Sequence, residues 1–107
     1  MQLGQYLCQA IEAFPEDRRV VVMGSGGLSH IKIDEDLDRA FIDALERNDL
    51  DAMARMDPNE LVAGTSEIRN WIATAAAGST GGRMIDYVPM YRNAKGIGCA
   101  MGFAVWE

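Results

Sequence analysis

The N-terminal residues carry apolar side chains at helical spacing. Between residues 2 and 14 the apolar positions recur every three or four residues, and Pro15 follows them. This spacing is typical of an amphipathic helix, which a proline cannot continue. We therefore predict a surface helix over residues 2–14 that packs on a sheet. The residues of its apolar face are Leu3, Tyr6, Leu7, Ala10, Ile11 and Phe14.

An uninterrupted apolar run, Val20–Met23, comes next, and three of its four residues are β-branched. Such a run predicts a strand over residues 19–23 that is buried on both faces. Three of the four residues in 24–27 are glycines, and the segment leads to His30, which is the only histidine in the chain. Glycines permit tight turns, and ligands of open α/β sheets collect beyond the carboxyl ends of strands. The pattern therefore predicts a loop at the end of the strand that places the His30 imidazole at the edge of the sheet where ligands bind.

Helical spacing returns in the middle of the chain. It predicts a helix that starts at the acidic residues 34–36 and runs to about Arg47, and a short helix over about 50–56. A further short helix is predicted to begin at Pro58, and another helix to end at Gly78. Thr65 or Ser66 is the expected cap of this last helix, so Glu67 falls in its first turn. The helix dipole favours a carboxylate there.

Two strands are predicted at the C-terminal end, over 83–92 and 97–106, joined by a hairpin turn at 93–96. In the second of them, glycine or alanine occupies every other position from Gly98 to Ala104. One face of that strand is therefore nearly bare, and another element must approach it closely. Together these elements predict an α/β fold in which helices pack on a small mixed sheet with a C-terminal β-hairpin.

The length of 107 residues predicts a single domain over residues 1–107. The net charge is −6, and the ten Lys and Arg residues are scattered. Nucleic acid is thus not an expected partner, because phosphate binding needs a basic stripe. No run approaches the roughly 18 apolar residues of a membrane span, and the N-terminal segment lacks the pattern of a signal peptide. We therefore expect a cytoplasmic protein without a membrane partner.

The two cysteines, Cys8 and Cys99, form neither a C-x-x-C pair nor a metal-binding spacing. We expect free thiols. With a single histidine, a complete metal site made by this chain alone is not expected, and Glu67 could at most be one ligand of a shared site.

His30 and the glycine loop before it allow several interpretations. A lone histidine is often a hydrogen-bonded structural residue, but a strand-end imidazole can also act as a general acid or base near neutral pH. The loop could instead bind phosphate, although it matches neither the G-x-G-x-x-G pattern nor the P-loop. For Glu67, the structural alternative is a helix-start carboxylate stabilised by the dipole.

Three segments in this order resemble a known family. They are Gly26-Gly27-Leu28-Ser29-His30, then Ala63-Gly64-Thr65-Ser66-Glu67-Ile68-Arg69-Asn70-Trp71, and then Asp86-Tyr87-Val88-Pro89-Met90-Tyr91-Arg92 before a glycine-rich last strand. The combination is similar to the C-terminal part of the class III extradiol ring-cleavage dioxygenases. These are the LigB-like superfamily, of the protocatechuate 4,5-dioxygenase and methylgallate dioxygenase type.

The resemblance implies an oxygenase of aromatic-compound catabolism that opens catecholic rings with O₂ at a non-haem Fe(II) held by two histidines and a glutamate. His30 matches the family's acid–base histidine, which does not touch iron, and Glu67 matches the iron-binding glutamate. The family's two iron-binding histidines have no counterpart here, because His30 is the only histidine. The resemblance thus implies a C-terminal segment of the catalytic domain that binds no iron and is inactive on its own.

The expected partners follow from this reading. They are a catecholic substrate and O₂ in the complete enzyme, and an N-terminal region or partner subunit that supplies the missing ligands. A homo-oligomer is also expected. The alternative is a non-catalytic binding or oligomerisation module that keeps the fold.

Overall fold

The structure is a computed structural model that describes residues 1–78 and 80–106. It contains four α-helices, a short 3₁₀ helix and three strands. In chain order these are α1 (Gln2–Glu12), β1 (His30–Lys32), α2 (Glu35–Glu46), α3 (Leu50–Ala54), the 3₁₀ helix (Ala63–Glu67), α4 (Ile68–Ala77), β2 (Arg83–Tyr91) and β3 (Ile97–Val105).

The three strands form one antiparallel sheet in the order β1-β3-β2. His30 pairs with Cys99 at the start of β1, and β2 pairs with β3 along almost its whole length. The hairpin turn at 93–96 forms as predicted, because the Asn93 side chain accepts from the backbone N–H groups of Lys95 and Ile97. The predicted fold class is confirmed, with a sheet that is antiparallel rather than mixed.

The hydrophobic core lies between this sheet and helices α2 and α4. Phe41 of α2 and Trp71 of α4 meet edge to face in it, with ring centroids 6.2 Å apart. Trp71 also reaches the bare face of β3, where a Cβ on Gly102 would lie 3.1 Å from the indole. The glycine–alanine alternation of β3 therefore allows α4 to pack closely on the sheet, as its pattern predicts.

The prediction of a strand over residues 19–23 is wrong. That segment has no regular secondary structure, and Val21 and Met23 are 80% and 86% exposed. A strand needs a hydrogen-bonded neighbour, and none of the three described strands pairs with these residues. Consequently His30 does not follow a buried strand; it is the first residue of the short strand β1.

The packing of α1 also differs from the prediction that its apolar face lies on the sheet. Helix α1 packs on α4 rather than on the sheet, at Gly4, where a Cβ would lie 2.1 Å from the carbonyl oxygen of Ala73. Leu3 and Tyr6 on the predicted apolar face are largely exposed. The close backbone contact at a buried glycine, and not the apolar face, fixes this helix.

The short helix predicted at Pro58 is a turn. The Asp57 carboxylate accepts from the N–H of Asn59, and the following N–H groups bond three residues back to Asp57 and Pro58. Local side-chain bonding of this kind competes with helix formation. Within residues 1–78 and 80–106, no helix combines the length and apolar character that crossing a membrane requires.

Candidate active site

His30 lies where β1 meets the 3₁₀ helix. Its backbone N–H donates to the Thr65 hydroxyl oxygen over 3.0 Å. A Cβ on Gly64 would lie 2.4 Å from the Cβ of His30, so only glycine lets the 3₁₀ helix pass so close. Thr65, a predicted helix cap, thus serves instead to fix the histidine backbone. The imidazole remains 22% exposed and is open to a reaction partner.

Glu67 is the last residue of the 3₁₀ helix and precedes α4. Its Oε2 lies 3.0 Å from Nε2 of His30 and accepts from the N–H of Gly27 over 2.6 Å. A carboxylate oxygen only accepts, so Nε2 of His30 carries a proton when it bonds to Glu67. The structure therefore brings both sequence-predicted site residues into direct contact, with the glycine loop as a third participant.

Cys99 is a neighbour of His30 that sequence reasoning missed. Its Sγ lies 3.5 Å from Nε2 of His30, across the β1–β3 ladder. Burial raises the pKa of this thiol, and the negative charges of Glu67 and Asp38 raise it further. The group facing the imidazole is thus a neutral thiol. The signal that could have revealed it was the strand register, because spacing along the chain does not pair residues 30 and 99.

Asp38 was also missed, although it fixes the residue next to His30. This carboxylate is fully buried. Its Oδ1 accepts from the N–H of Ser29 over 2.9 Å, and its Oδ2 accepts from the Ser29 hydroxyl and the Tyr87 hydroxyl, each over 2.6 Å. The Ser29 hydroxyl in turn accepts from the N–H of Asp34. A buried carboxylate with all these donors holds the loop before His30 in one position.

The described residues do not by themselves fit an iron ion. One carboxylate oxygen of Glu67 already accepts from Gly27 and His30. In the part of the chain that the structure covers, no cluster of three or more His, Cys, Asp or Glu side chains could hold a metal. A non-haem iron site needs more protein ligands than this pair offers.

The chain matches the model of a known protein family. The family model described as the catalytic LigB subunit of aromatic ring-opening dioxygenase matches residues 1–102. No curated protein and no solved structure matches the chain.

Proposed function

Because the chain belongs to the LigB family of aromatic ring-opening dioxygenases, we propose that it is the C-terminal part of a class III extradiol dioxygenase that depends on non-haem Fe(II) and opens catecholic rings with O₂. The observation that carries the proposal is the contact between His30 and Glu67, which are 37 residues apart in the sequence and 3.0 Å apart in the structure. We expect substrates of the protocatechuate or methylgallate type.

In this proposal His30 handles protons. Its Nε2 faces the Glu67 carboxylate and the Cys99 thiol, and its ring is partly open to solvent. An imidazole can both give and take a proton near neutral pH, which a catechol that must lose hydroxyl protons requires. The buried bonds of Ser29 and Thr65 keep the ring where this transfer can occur.

Glu67 is proposed as the one iron ligand that this chain supplies. Its side chain is 40% exposed at the start of α4, so a second polypeptide can reach it. We expect the two histidine ligands to come from an N-terminal region or a partner subunit, and the chain to be inactive without them. Unpaired Cys8 and Cys99 support a cytoplasmic location, where thiols stay reduced.

The test measures O₂ uptake with Fe(II) and protocatechuate as the probe. The chain is assayed alone, and then with the polypeptide that carries the two histidines, joined to it or as a separate subunit. We expect turnover only in the second case. His30→Ala should then lower kcat by about 10²- to 10⁴-fold, the usual loss when a positioned acid–base group is removed.

A matched control is Arg69→Ala, because Arg69 is exposed near the same end of α4. It should leave kcat within about twofold, since surface substitutions away from a site have small effects. Turnover by the chain alone, or unchanged kcat after His30→Ala in the complete protein, would contradict the proposal.

A second candidate function is an assembly module, and the exposed apolar side chains favour it. Leu3 and Tyr6 of α1 and Val21 and Met23 of the irregular segment before the glycine loop are all largely exposed. Where exposed apolar side chains form one contiguous patch, that patch often marks a contact between proteins. In that case the chain forms a homo-oligomer whether or not it takes part in catalysis.

Sedimentation velocity over a range of concentrations tests this second candidate. Self-association should weaken by about tenfold or more in the double variant Val21→Lys and Met23→Lys, because burying an unpaired charge in an apolar contact is costly. A chain that stays monomeric at every concentration would rule the module out as a homo-oligomer.

A further inference from the structure

Two side chains of α4 hold the carbonyl groups of the glycine loop. The Asn70 side-chain amide donates to the carbonyl oxygen of Ser25 over 2.8 Å. The Trp71 indole N–H donates to the carbonyl oxygen of Gly26 over 3.1 Å. Neither carbonyl is paired in the sheet. Side chains of α4 therefore supply the hydrogen bonds that a neighbouring strand would otherwise supply.

The next residue of the loop bonds to Glu67, which directly precedes the same helix. The N–H of Gly27 donates to the Glu67 carboxylate over 2.6 Å. Asn70 and Trp71 follow Glu67 by three and four positions, so each of them lies next to Glu67 around the start of α4. Three successive loop residues, Ser25 to Gly27, are therefore bonded to side chains at the start of α4.

The loop approaches Glu67 and His30 so closely that side chains are excluded at Gly26 and Gly27. Gly26 has a φ of +137°, and a Cβ there would lie 2.9 Å from both Cβ and Oε2 of Glu67. A Cβ on Gly27 would lie 2.5 Å from Nε2 of His30. The position of the loop thus decides how the Glu67 carboxylate sits against the imidazole.

Trp71 is itself fixed by the core. Its ring is buried and packs edge to face on Phe41. Packing in the core therefore fixes the direction in which the indole N–H donates to the loop. Asn70, by contrast, reaches the loop from the exposed side of the helix.

We propose that Asn70 and Trp71 are positioning residues of the candidate site. By holding the carbonyls of Ser25 and Gly26, they direct the N–H of Gly27 onto Oε2 of Glu67 and so keep that carboxylate beside His30. The catalytic meaning of this arrangement rests on the proposed function, but the arrangement itself can be measured without turnover.

The test follows the Gly27 amide proton by NMR in the isolated chain. In the wild type, a short bond to a carboxylate should shift this proton downfield and slow its exchange with solvent. Trp71→Phe keeps an aromatic side chain at this position but removes the N–H. Asn70→Ala removes the other donor at an exposed position, where folding is not at risk. Each variant should move the Gly27 signal upfield and speed its exchange by about fivefold, the equivalent of one net hydrogen bond.

Two controls separate this effect from general loosening. Trp106→Phe removes a buried indole N–H that has no hydrogen-bond partner among the described residues, and Arg69→Ala alters the residue next to Asn70. Neither should move the Gly27 signal. The proposal is overturned if Gly27 is unchanged in both donor variants, or if the controls shift it equally. Failure of turnover in the complete protein with an intact Gly27 response would instead count against the proposed function.

Discussion

Asp38 shows how a single buried carboxylate can fix the geometry of a site that it does not touch. It accepts from the N–H and hydroxyl of Ser29 and from the hydroxyl of Tyr87. Ser29 directly precedes His30, so these bonds set where β1 begins. In the sequence, Asp38 is one of several acids at the start of α2, and only its burial distinguishes it from Asp36.

Asp38→Asn should destabilise the fold. The substituted amide nitrogen cannot accept, so it would leave at least one buried donor of Ser29 or Tyr87 without a partner. Each such loss costs about 1–3 kcal/mol, and we expect the free energy of unfolding to fall by about 2–4 kcal/mol. Urea denaturation measures this, with the exposed Asp36→Asn as the control of equal charge change. Equal stability of the two variants would refute the role given to Asp38.

At the same scale, the sequence predicted the two polar residues of the site but not their neighbours. The glycine segment singled out His30, the helix start singled out Glu67, and the family resemblance suggested a role for each; the structure places them in contact. Cys99 and Gly27 were not predicted, because strand register and loop conformation bring them to the site. The spacing of residues along the chain does not predict such contacts, because they join segments that are far apart in the sequence.

Among the elements, the C-terminal hairpin is held on α2 by its tyrosines. Tyr87 donates to Asp38, Tyr91 donates to Glu35, and the Arg39 guanidinium lies 5.4 Å from the centre of the Tyr87 ring. Burial raises the pKa of the Tyr87 phenol above its ordinary value, and its bond to Asp38 raises it further. The protonated phenol is therefore the form that the folded hairpin favours.

This pKa predicts an alkaline loss of stability. A group whose pKa is raised on folding stabilises fully below its unfolded pKa, about 10 for tyrosine, and this contribution is lost as the pH rises through the folded pKa. The free energy of unfolding should thus fall as the pH rises from about 9 upward. Tyr87→Phe should be less stable than the wild type at pH 8 and should show a smaller fall over that pH range.

Denaturation curves at each pH measure this fall. Tyr6→Phe, an exposed tyrosine on α1, is the control and should behave like the wild type. If Tyr87→Phe and the wild type lose the same free energy from pH 9 upward, the hairpin contact does not carry the effect.

The elements also mark the limit of pattern reasoning. The hairpin and α4 were predicted within a few residues, because their capping, turn and spacing signals act locally. The run Val20–Met23 has the composition of a buried strand, but it is mostly exposed and none of the described strands pairs with it. A strand is a property of two segments, and one segment does not predict it.

At the scale of the whole molecule, the chain assembles part of a site around one imidazole. The sheet supplies His30, the 3₁₀ helix supplies Glu67, and the glycine loop joins them. The family match covers residues 1–102, so these elements lie together in a ring-opening dioxygenase domain. We propose that this chain contributes one iron ligand and the acid–base histidine, while the other ligands come from another segment or subunit.

An anaerobic Fe(II) titration of the 107-residue chain, with bound iron counted after equilibrium dialysis, tests that claim most directly. We expect no stoichiometric tight binding, and only weak binding that Glu67→Ala reduces, because a single carboxylate is a poor ferrous site. One tightly held iron per chain, retained through dialysis, would contradict the claim.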